Sequence, residues 1–395
     1  MEEKEIAVMR TFLSVCLVAP LLTQVATAQV TAAPSAAATS PVAYVYVSNN
    51  PNNSSTNEIQ AYTAAANGKL TPVFGSPFRD DVTSMAVNGK YLFASTRSGI
   101  YISQFLMESN GALHWTRSTD IVKFNQGDCG SSGPLFLDHT GTSVYDMEFL
   151  SDCSNNSYQS LAVNASTGSL KNMGATFGDA WLYLPASFIG NNVYAYSAGC
   201  LSNLYWEIRG FKRSSNGKLS DMGINAPTPA AKAGDFWCPS QTAADPTNHV
   251  AITMQAVDEN FSPDGPPQLA TYTADSAGNL STTSTPANMP KTAVGTVTDL
   301  KMAPSGKLLA VGGTAGLQVF HFNGASPITH DTGLLTNKQV DQFFWDNANH
   351  LYAISQSAGK LFVFTVTPTS ATQAPGSPYT IAHPQNIAVQ PKTAK

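Results

Sequence analysis

Short runs rich in aromatic and β-branched residues recur along the whole chain, and each is bounded by Gly, Pro, Asn or Ser. Residues 91–94 and 361–366 are typical of these runs. Apolar runs of four to eight residues between turn residues indicate β-strands. An amphipathic helix would need apolar positions spaced by three or four over a longer segment. No such segment follows residue 28, so the pattern predicts an all-β protein.

A longer phrase also repeats: a strand, a polar break, and then Gly-x-Leu or a close variant. The spacing between successive copies runs from 43 to 61 residues, and their glycines are Gly68, Gly111, Gly168, Gly217, Gly278 and Gly324. Four-stranded propeller blades occupy about 40–50 residues, so the repeat favours a propeller. The unequal spacing fits strands of constant length joined by loops of variable length.

The strands of each repeat can be labelled A to D from the innermost outward. For the second repeat they are predicted at 83–87, 91–95, 100–105 and from Leu113, with Asn88-Gly89 as the hairpin turn between A and B. The same layout recurs seven times between residues 42 and 391. It predicts a seven-bladed β-propeller of four-stranded antiparallel blades.

The two ends of the repeat region complement each other. The first strand, 44–47, has the character of a B strand and no A strand precedes it, whereas 384–391 has the character of an A strand and no B strand follows it. The C-terminal strand is therefore predicted to close the ring by completing the first blade, which hides sheet edges that would otherwise be exposed.

The N-terminal segment predicts export to the periplasm or secretion. Arg10 precedes an apolar run at 11–22, and Ala26-Thr27-Ala28 has the small-x-small pattern of a cleavage site. Residues 1–28 are predicted as a signal peptide starting at Met1 or Met9, and 29–41 as a disordered leader. The apolar run is shorter than the ~20 residues that span a bilayer, so no membrane span is expected after cleavage.

Charge content limits the kinds of partner. Charged residues make up 12% of the chain, about half the usual share of roughly 25%. Removing residues 1–28 leaves 19 basic and 23 acidic residues, without any basic run. This balance opposes binding to a phosphate backbone and so argues against nucleic acid. We expect a monomer whose partner is a small molecule or a protein.

Four cysteines remain after removal of the signal, and an even count in an exported chain argues for disulfides. Three pairings are possible, and proximity in the blade layout favours Cys129–Cys153 and Cys200–Cys238. All four map to the D-to-A and B-to-C loops, which share the propeller face on which the channel opens. A disulfide-bearing rim could support a ligand site, or it could simply hold long loops together.

Several polar side chains are predicted on the same face. A ring of carboxylates there could hold a divalent cation or supply an acid–base pair, or it could consist of solvated loop residues. Trp237 is a candidate stacking platform, or it packs against the disulfide. No cofactor is predicted beyond that cation. The candidate binding residues are Asp81, Asp179, Asp235, Trp237, Asp258 and Asp341, and the candidate catalytic residues are Glu148, Arg97 and His383.

The chain resembles the lactonase-like seven-bladed propellers, which include propeller-type 6-phosphogluconolactonases and carboxymuconate cyclases. The resemblance covers 42–391 and is carried by four motifs: the Gly-x-Leu phrases, Tyr46-Val47-Ser48-Asn49, the turn at 303–307, and Gly75-Ser76-Pro77-Phe78 echoed by Gly376-Ser377-Pro378-Tyr379. It implies a lactone hydrolase. The related lactonases have a Gly-Pro-Arg-His-like segment before an A strand and Asn-Glu after a B strand. Glu148 matches the second motif, but Gly133-Pro134-Leu135-Phe136 lacks the Arg-His pair.

Two functions follow. The first is an exported scaffold that binds a ligand or protein on the disulfide-bearing channel face. The alternative is a hydrolase of a lactone or a sugar-acid ester. No metalloprotease, nucleophile-elbow or P-loop motif is present in the sequence, which favours the first.

Overall fold

The structure, a computed structural model, describes residues 40–51, 57–121, 133–148, 157–177, 184–202 and 205–392. Within these ranges the chain forms thirty β-strands and no helix. The same ranges therefore contain no helix long and apolar enough to cross a bilayer. The prediction of an all-β protein is confirmed.

The strands form seven antiparallel blades, each built around a meander of four strands. Blade 1 contains β1 (Ala43–Asn49), β2 (Glu58–Ala64), β3 (Leu70–Pro72) and β4 (Phe78–Arg79). Blade 2 contains β5 (Val82–Val87), β6 (Tyr91–Thr96), β7 (Tyr101–Met107) and β8 (Leu113–Asp120). Blade 3 contains β9 (Leu135–Leu137), β10 (Ser143–Glu148), β11 (Ser157–Val163) and β12 (Leu170–Phe177). Blade 4 contains β13 (Ser187–Phe188), β14 (Tyr194–Ser202), β15 (Tyr205–Arg213) and β16 (Leu219–Asn225).

The remaining blades repeat this order. Blade 5 contains β17 (Phe236–Ala244), β18 (His249–Val257), β19 (Gln268–Ala274) and β20 (Leu280–Ser281). Blade 6 contains β21 (Val297–Met302), β22 (Leu308–Gly313), β23 (Gly316–Asn323) and β24 (Ser326–His330). Blade 7 contains β25 (Gln342–Trp345), β26 (His350–Ser355), β27 (Lys360–Thr367), β28 (Ser370–Gln373) and β29 (Tyr379–Thr380), and β30 (Pro384–Pro391) follows it.

The C-terminal strand closes the ring, as predicted. β30 pairs antiparallel with β1, from Ala43 opposite Pro391 to Asn49 opposite Pro384, and so becomes the innermost strand of blade 1. Ile387 and Val389 pack with Val45 of blade 1 and Tyr352 of blade 7 in one buried cluster. The first and last strands of the propeller therefore share one hydrophobic core.

Blades 1 and 7 each carry a fifth, two-residue strand that the sequence pattern did not predict. β4 pairs with β2, and β29 pairs with β27. These extra strands come from the two copies of the Gly-Ser-Pro-aromatic motif, beginning at Gly75 and Gly376. The repeated sequence motif therefore forms the same kind of short extra strand in both blades.

Side chains of the innermost strands join adjacent blades through hydrogen bonds to backbone. Six of the seven junctions have such a bond between described residues. They are Met85 N to Asn386 Oδ1 (2.9 Å), Leu135 N to Ser84 Oγ (2.9 Å), Ser187 Oγ to Thr242 O (2.7 Å), Gln241 Nε2 to Thr298 O (3.0 Å), Phe343 N to Asp299 Oδ2 (3.1 Å) and Ile387 N to Gln342 Oε1 (2.8 Å). The wall of the channel is therefore a hydrogen-bonded ring that holds its lining in place.

Candidate functional site

The innermost strands of all seven blades surround a central channel of about 360 Å³. This volume lies within the range of small-molecule sites, roughly 300–1,000 Å³. Apolar side chains and the amide and hydroxyl groups of the hydrogen-bonded ring alternate along the wall. The lining includes Ser84, Leu135, Phe188, Gln241, Lys301 and Phe344.

The channel adjoins a second cavity of about 290 Å³. His139, Ala244 and Met302 line both spaces, and the second one is completed by Asp245 and Pro246 with Ala303 and Pro304. These residues belong to the ends of innermost strands and to A-to-B turns. The channel therefore continues toward the face opposite the one on which the sequence predicted a ligand site.

Among the described residues that line the channel, Lys301 is the one Lys, Arg, Asp or Glu. Its ammonium lies 2.7 Å from Asp299 Oδ1 and 5.3 Å from the centroid of the Phe344 ring. The side chain keeps 32% of its surface exposed. A lysine ammonium has three donors, so the contact with Asp299 leaves donors that can serve a ligand in the channel.

Asp299 explains why Lys301 stands where it does. Asp299 is 5% exposed, and its carboxylate also accepts hydrogen bonds from the backbone amides of Leu300 (2.9 Å) and Phe343 (3.1 Å). A buried carboxylate is costly unless it is paired. Asp299 occupies the ring position that neutral residues occupy in the other described junctions, and Lys301 supplies its counter-charge.

Sequence reasoning missed this pair, although a signal was present. Of the seven innermost strands, β21 (Val-Thr-Asp-Leu-Lys-Met) is the one that contains charged residues. Residues two apart share a strand face, so this spacing predicts that the Asp299 and Lys301 side chains lie side by side.

Asp146 is a second residue that the sequence analysis passed over. It is fully buried in β10, and one carboxylate oxygen accepts a hydrogen bond from Gly133 N at 3.1 Å. The equivalent B-strand positions carry uncharged residues instead: Val47, Ala94, Ser197, Ile252, Val311 and Ala353. Comparison of the aligned B strands would have singled out this carboxylate.

Two of the predicted site residues are brought together at the rim. Arg97 Nε lies 3.3 Å from Asp81 Oδ1, and Arg97 Nη2 donates to Asn57 Oδ1 at 3.0 Å. Asn57 in turn donates to Val82 O at 2.7 Å, which ties the group to the start of β5. The rim between blades 1 and 2 therefore has an ion pair beside β5, the innermost strand of blade 2.

The other predicted carboxylates are dispersed and satisfied locally. Asp341 accepts from Gln339 Nε2 (2.6 Å) and Gln356 N (2.7 Å). Asp258 accepts from two amides of its own turn, and Asp235 lies 3.7 Å from Lys232. Among the residues that the structure describes, no group of three or more His, Cys, Asp and Glu is arranged to hold a metal ion.

Trp237 and His383 occupy different environments. Trp237 is 3% exposed and packs in the core between blades 4 and 5, beside Ala198 and Ile208. His383 is exposed, has a left-handed φ of 47°, and its carbonyl accepts from Asn50 N at 3.2 Å. Neither residue lines the channel.

The Cys200–Cys238 disulfide is confirmed: it joins the end of β14 to the start of β17, with Cα atoms 5.2 Å apart. Cys129, Cys153 and Asp179 lie outside the described residues, and Glu148 is described only as the last residue of β10. The predicted Cys129–Cys153 pair and the catalytic assignment of Glu148 stay predictions.

No protein-family model matches the chain, and no curated protein matches it. Its fold is similar to that of solved propellers. A periplasmic gluconolactonase from Pseudomonas aeruginosa is 13% identical, with a TM-score of 0.62 over 88% of this chain and 99% of that one. A candidate 6-phosphogluconolactonase from Bacteroides uniformis is 12% identical, with a TM-score of 0.61 over 88% and 99%.

A hypothetical selenium-binding protein from Sulfolobus tokodaii is also similar, at 10% identity and a TM-score of 0.61 over 90% of this chain and 95% of that one. Identities this low establish the fold alone. The chain therefore has the seven-bladed propeller fold of the 6-phosphogluconolactonase-like proteins, as the sequence motifs predicted. Because one fold serves several functions, activity has to be argued from the site.

Proposed function

We propose that this protein is an exported propeller that binds a small anionic organic molecule, of the sugar-acid class, in its central channel. The observation that carries the proposal is Lys301: a single cation placed on a rigid innermost strand inside a channel of ligand size. Charge-assisted hydrogen bonds to a carboxylate are among the stronger polar contacts that a site can offer.

The wall of the channel suits a polyhydroxylated carboxylate. Apolar and aromatic side chains such as Phe188 and Phe344 alternate with amides and hydroxyls such as Gln241, Gln342 and Ser187. Small-molecule sites are commonly lined in this way, with a few polar groups that orient the ligand. The likeness of fold to a gluconolactonase is the reason for naming the sugar-acid class.

Calorimetric titration with D-gluconate tests the proposal. The double variant Asp299→Asn with Lys301→Met removes both charges and leaves no buried carboxylate without a partner. It should weaken gluconate binding at least about tenfold, the effect of losing about 1.4 kcal/mol from a charged hydrogen bond. Lys301→Arg, which keeps the cation, is the control and should retain binding. Equal binding by the double variant, or no binding by the unaltered protein, would contradict the proposal.

A second candidate is hydrolysis of a lactone or sugar-acid ester. It is favoured by the Arg97–Asp81 pair at the rim together with the fold shared with a gluconolactonase. Glucono-1,5-lactone hydrolysis would be followed in a pH-stat, with Arg97→Gln, Asp81→Asn and Glu148→Gln as variants. Turnover that any of these substitutions abolishes would establish a hydrolase; gluconate binding without turnover would favour the binding protein.

Export is part of the proposal, and two observations support it. The Cys200–Cys238 disulfide suits an oxidising compartment, and the sequence predicts a signal peptide over residues 1–28. N-terminal sequencing of the exported protein should begin at Gln29. A retained Met1 or Met9 would argue against export by this route.

A further inference from the structure

A groove of about 690 Å³ lies on the flank of blades 6 and 7, apart from the channel. One wall is the D-to-A connection of blade 6, and the other is the B-to-C turn of blade 7 with the start of β27. The groove therefore opens on the face that bears the Cys200–Cys238 disulfide. It shares no lining residue with the channel, and its polar lining residues are Thr336, Asn337, Lys338, Ser357, Lys360 and Gln373.

The groove is cationic in an otherwise acidic protein. Lys338 and Lys360 line it, and its other described lining residues are all uncharged. Among the described residues, no carboxylate oxygen lies within 4.0 Å of either ammonium, whereas Lys232 has two such partners and Lys301 has one. The two lysines therefore hold positive charge that the surrounding residues do not neutralise by direct pairing.

The walls are held by the fold. Leu317 N donates to Thr336 O (3.4 Å) and Leu335 N donates to Leu317 O (2.7 Å), which fixes the first wall to β23. Lys360 Nζ donates to Thr380 Oγ1 at 2.8 Å, which ties this lysine of the second wall to β29. A preformed surface of this kind costs less side-chain ordering when a ligand binds.

We propose that this groove binds a short anionic oligosaccharide of the uronic-acid type. The two ammonium groups would pair with carboxylates as point charges. The hydroxyls and amides of Thr336, Asn337, Ser357 and Gln373 would pair with sugar hydroxyls. Two lysines are too few to support nucleic acid, whose binding typically neutralises about 6–10 phosphates.

Titration of the purified protein with α-1,4-linked trigalacturonate tests this site, and maltotriose serves as the neutral trisaccharide with the same linkage. We expect trigalacturonate to bind with an affinity that falls as salt rises, and maltotriose not to bind measurably. Lys338→Gln, an exposed substitution, should weaken binding at least about fivefold, and Lys360→Gln should do the same.

Lys307→Gln is the matched control, because Lys307 is an exposed lysine in an A-to-B turn on the opposite face. It should leave trigalacturonate binding unchanged, and so should the Asp299→Asn, Lys301→Met channel variant. Absence of trigalacturonate binding, equal affinity for maltotriose, or indifference to both groove lysines would overturn the inference. None of these results would bear on gluconate binding in the channel.

Discussion

At the scale of single residues, the glycines of the repeated phrase all have positive φ, and each packs against the preceding blade. Each faces the first residue of the B strand in the preceding blade, so that Gly111 meets Tyr44, Gly168 meets Tyr91 and Gly278 meets Tyr194. Tyr46 and Tyr196 also donate their hydroxyls to the carbonyls of Gly111 (3.0 Å) and Gly278 (2.8 Å). The phrase is therefore an interface between blades as well as a turn.

Gly111→Ala should destabilise the protein by about 2–5 kcal/mol. Its φ is +90°, and a Cβ would lie 2.6 Å from the Tyr44 ring. Left-handed strain costs about 1–2 kcal/mol and overpacking about 1–3 kcal/mol. Gly265→Ala is the matched control, because its φ is +84° and nothing lies within 4 Å of the added Cβ. Urea unfolding of the two variants should separate strain from steric clash; equal losses would show that the interface contact is unimportant.

Asp138 makes stability depend on pH. Burial alone would raise the pKa of its carboxyl, but hydrogen bonds from Thr140, Asn192 and Ser143 N and the charge of Arg213 lower it. Because the folded pKa is below the usual value of about 3.9, this carboxylate stabilises the fold above about pH 4 and ceases to do so as the pH falls through the lowered pKa.

Asp138→Asn should therefore lower the free energy of unfolding by about 3 kcal/mol at pH 7. The substitution removes the carboxylate that lies 2.9 Å from the largely buried Arg213 guanidinium. At pH 2–3 the difference from the unaltered protein should shrink. Urea unfolding at both pH values is the measurement. Asp275→Asn, in an exposed turn, is the control and should have a smaller effect at either pH. An equal loss at both pH values would contradict the argument.

At the scale of elements, three of the A-to-B turns share one hydrogen-bonding arrangement. An Asp at the start of the turn accepts from the amide four or five residues later in blades 3, 5 and 7, as Asp138, Asp245 and Asp346 do. In blades 5 and 7 it also binds the next histidine, Asp245 with His249 (3.0 Å) and Asp346 with His350 (2.8 Å). These turns fix the ends of the innermost strands on the face that bears the second cavity.

The disulfide links two neighbouring blades, and its removal should be measurable. Cys200 and Cys238 are 38 residues apart, and the chain-entropy model gives about 4 kcal/mol for a loop of this length. The Cys200→Ser, Cys238→Ser variant should therefore unfold at lower urea concentration.

Peptide mapping without reduction should also recover a 129–153 link. A 153–200 link would overturn the pairing, and unchanged stability would show that the bond constrains little.

At the scale of the whole molecule, ring closure decides stability because both ends of the chain meet in blade 1. Deleting 384–395 removes β30, exposes the edge of β1, and takes Ile387 and Val389 from the cluster shared by blades 7 and 1. The truncated protein should aggregate or lose at least about 10 °C in Tm. Deleting only 393–395 is the control and should leave Tm unchanged. A normal melting curve for the longer deletion would show that the ring closes without β30.

Much of the architecture could be predicted because its determinants are local. The second blade was predicted with strands at 83–87, 91–95 and 100–105, and the structure has β5, β6 and β7 at Val82–Val87, Tyr91–Thr96 and Tyr101–Met107. Side-chain alternation and turn chemistry act over a few residues, so they can be read along the chain. The blade count, the closing strand and the Cys200–Cys238 pair followed from that layout.

The chemistry of the channel could not be predicted in the same way. Lys301 meets Phe344, and Arg97 meets Asn57, across separations of about 40 residues that no local pattern specifies. Among the described residues, the predicted carboxylates Asp235, Asp258 and Asp341 sit in separate loops, so they remain dispersed.

By itself, then, the sequence determined the four-stranded layout of the blades, the number of blades and the closure of the ring, since each depends on alternation, turns and complementary ends. Only the tertiary structure decided which side chains of different strands meet. The radial arrangement of seven blades brings residues from every innermost strand to the channel and buries Asp299 against Phe343 N, so that this carboxylate requires the cation of Lys301. Which groups stand alone and which are paired depends on this packing, because the distances that govern charge and hydrogen bonding are set between blades.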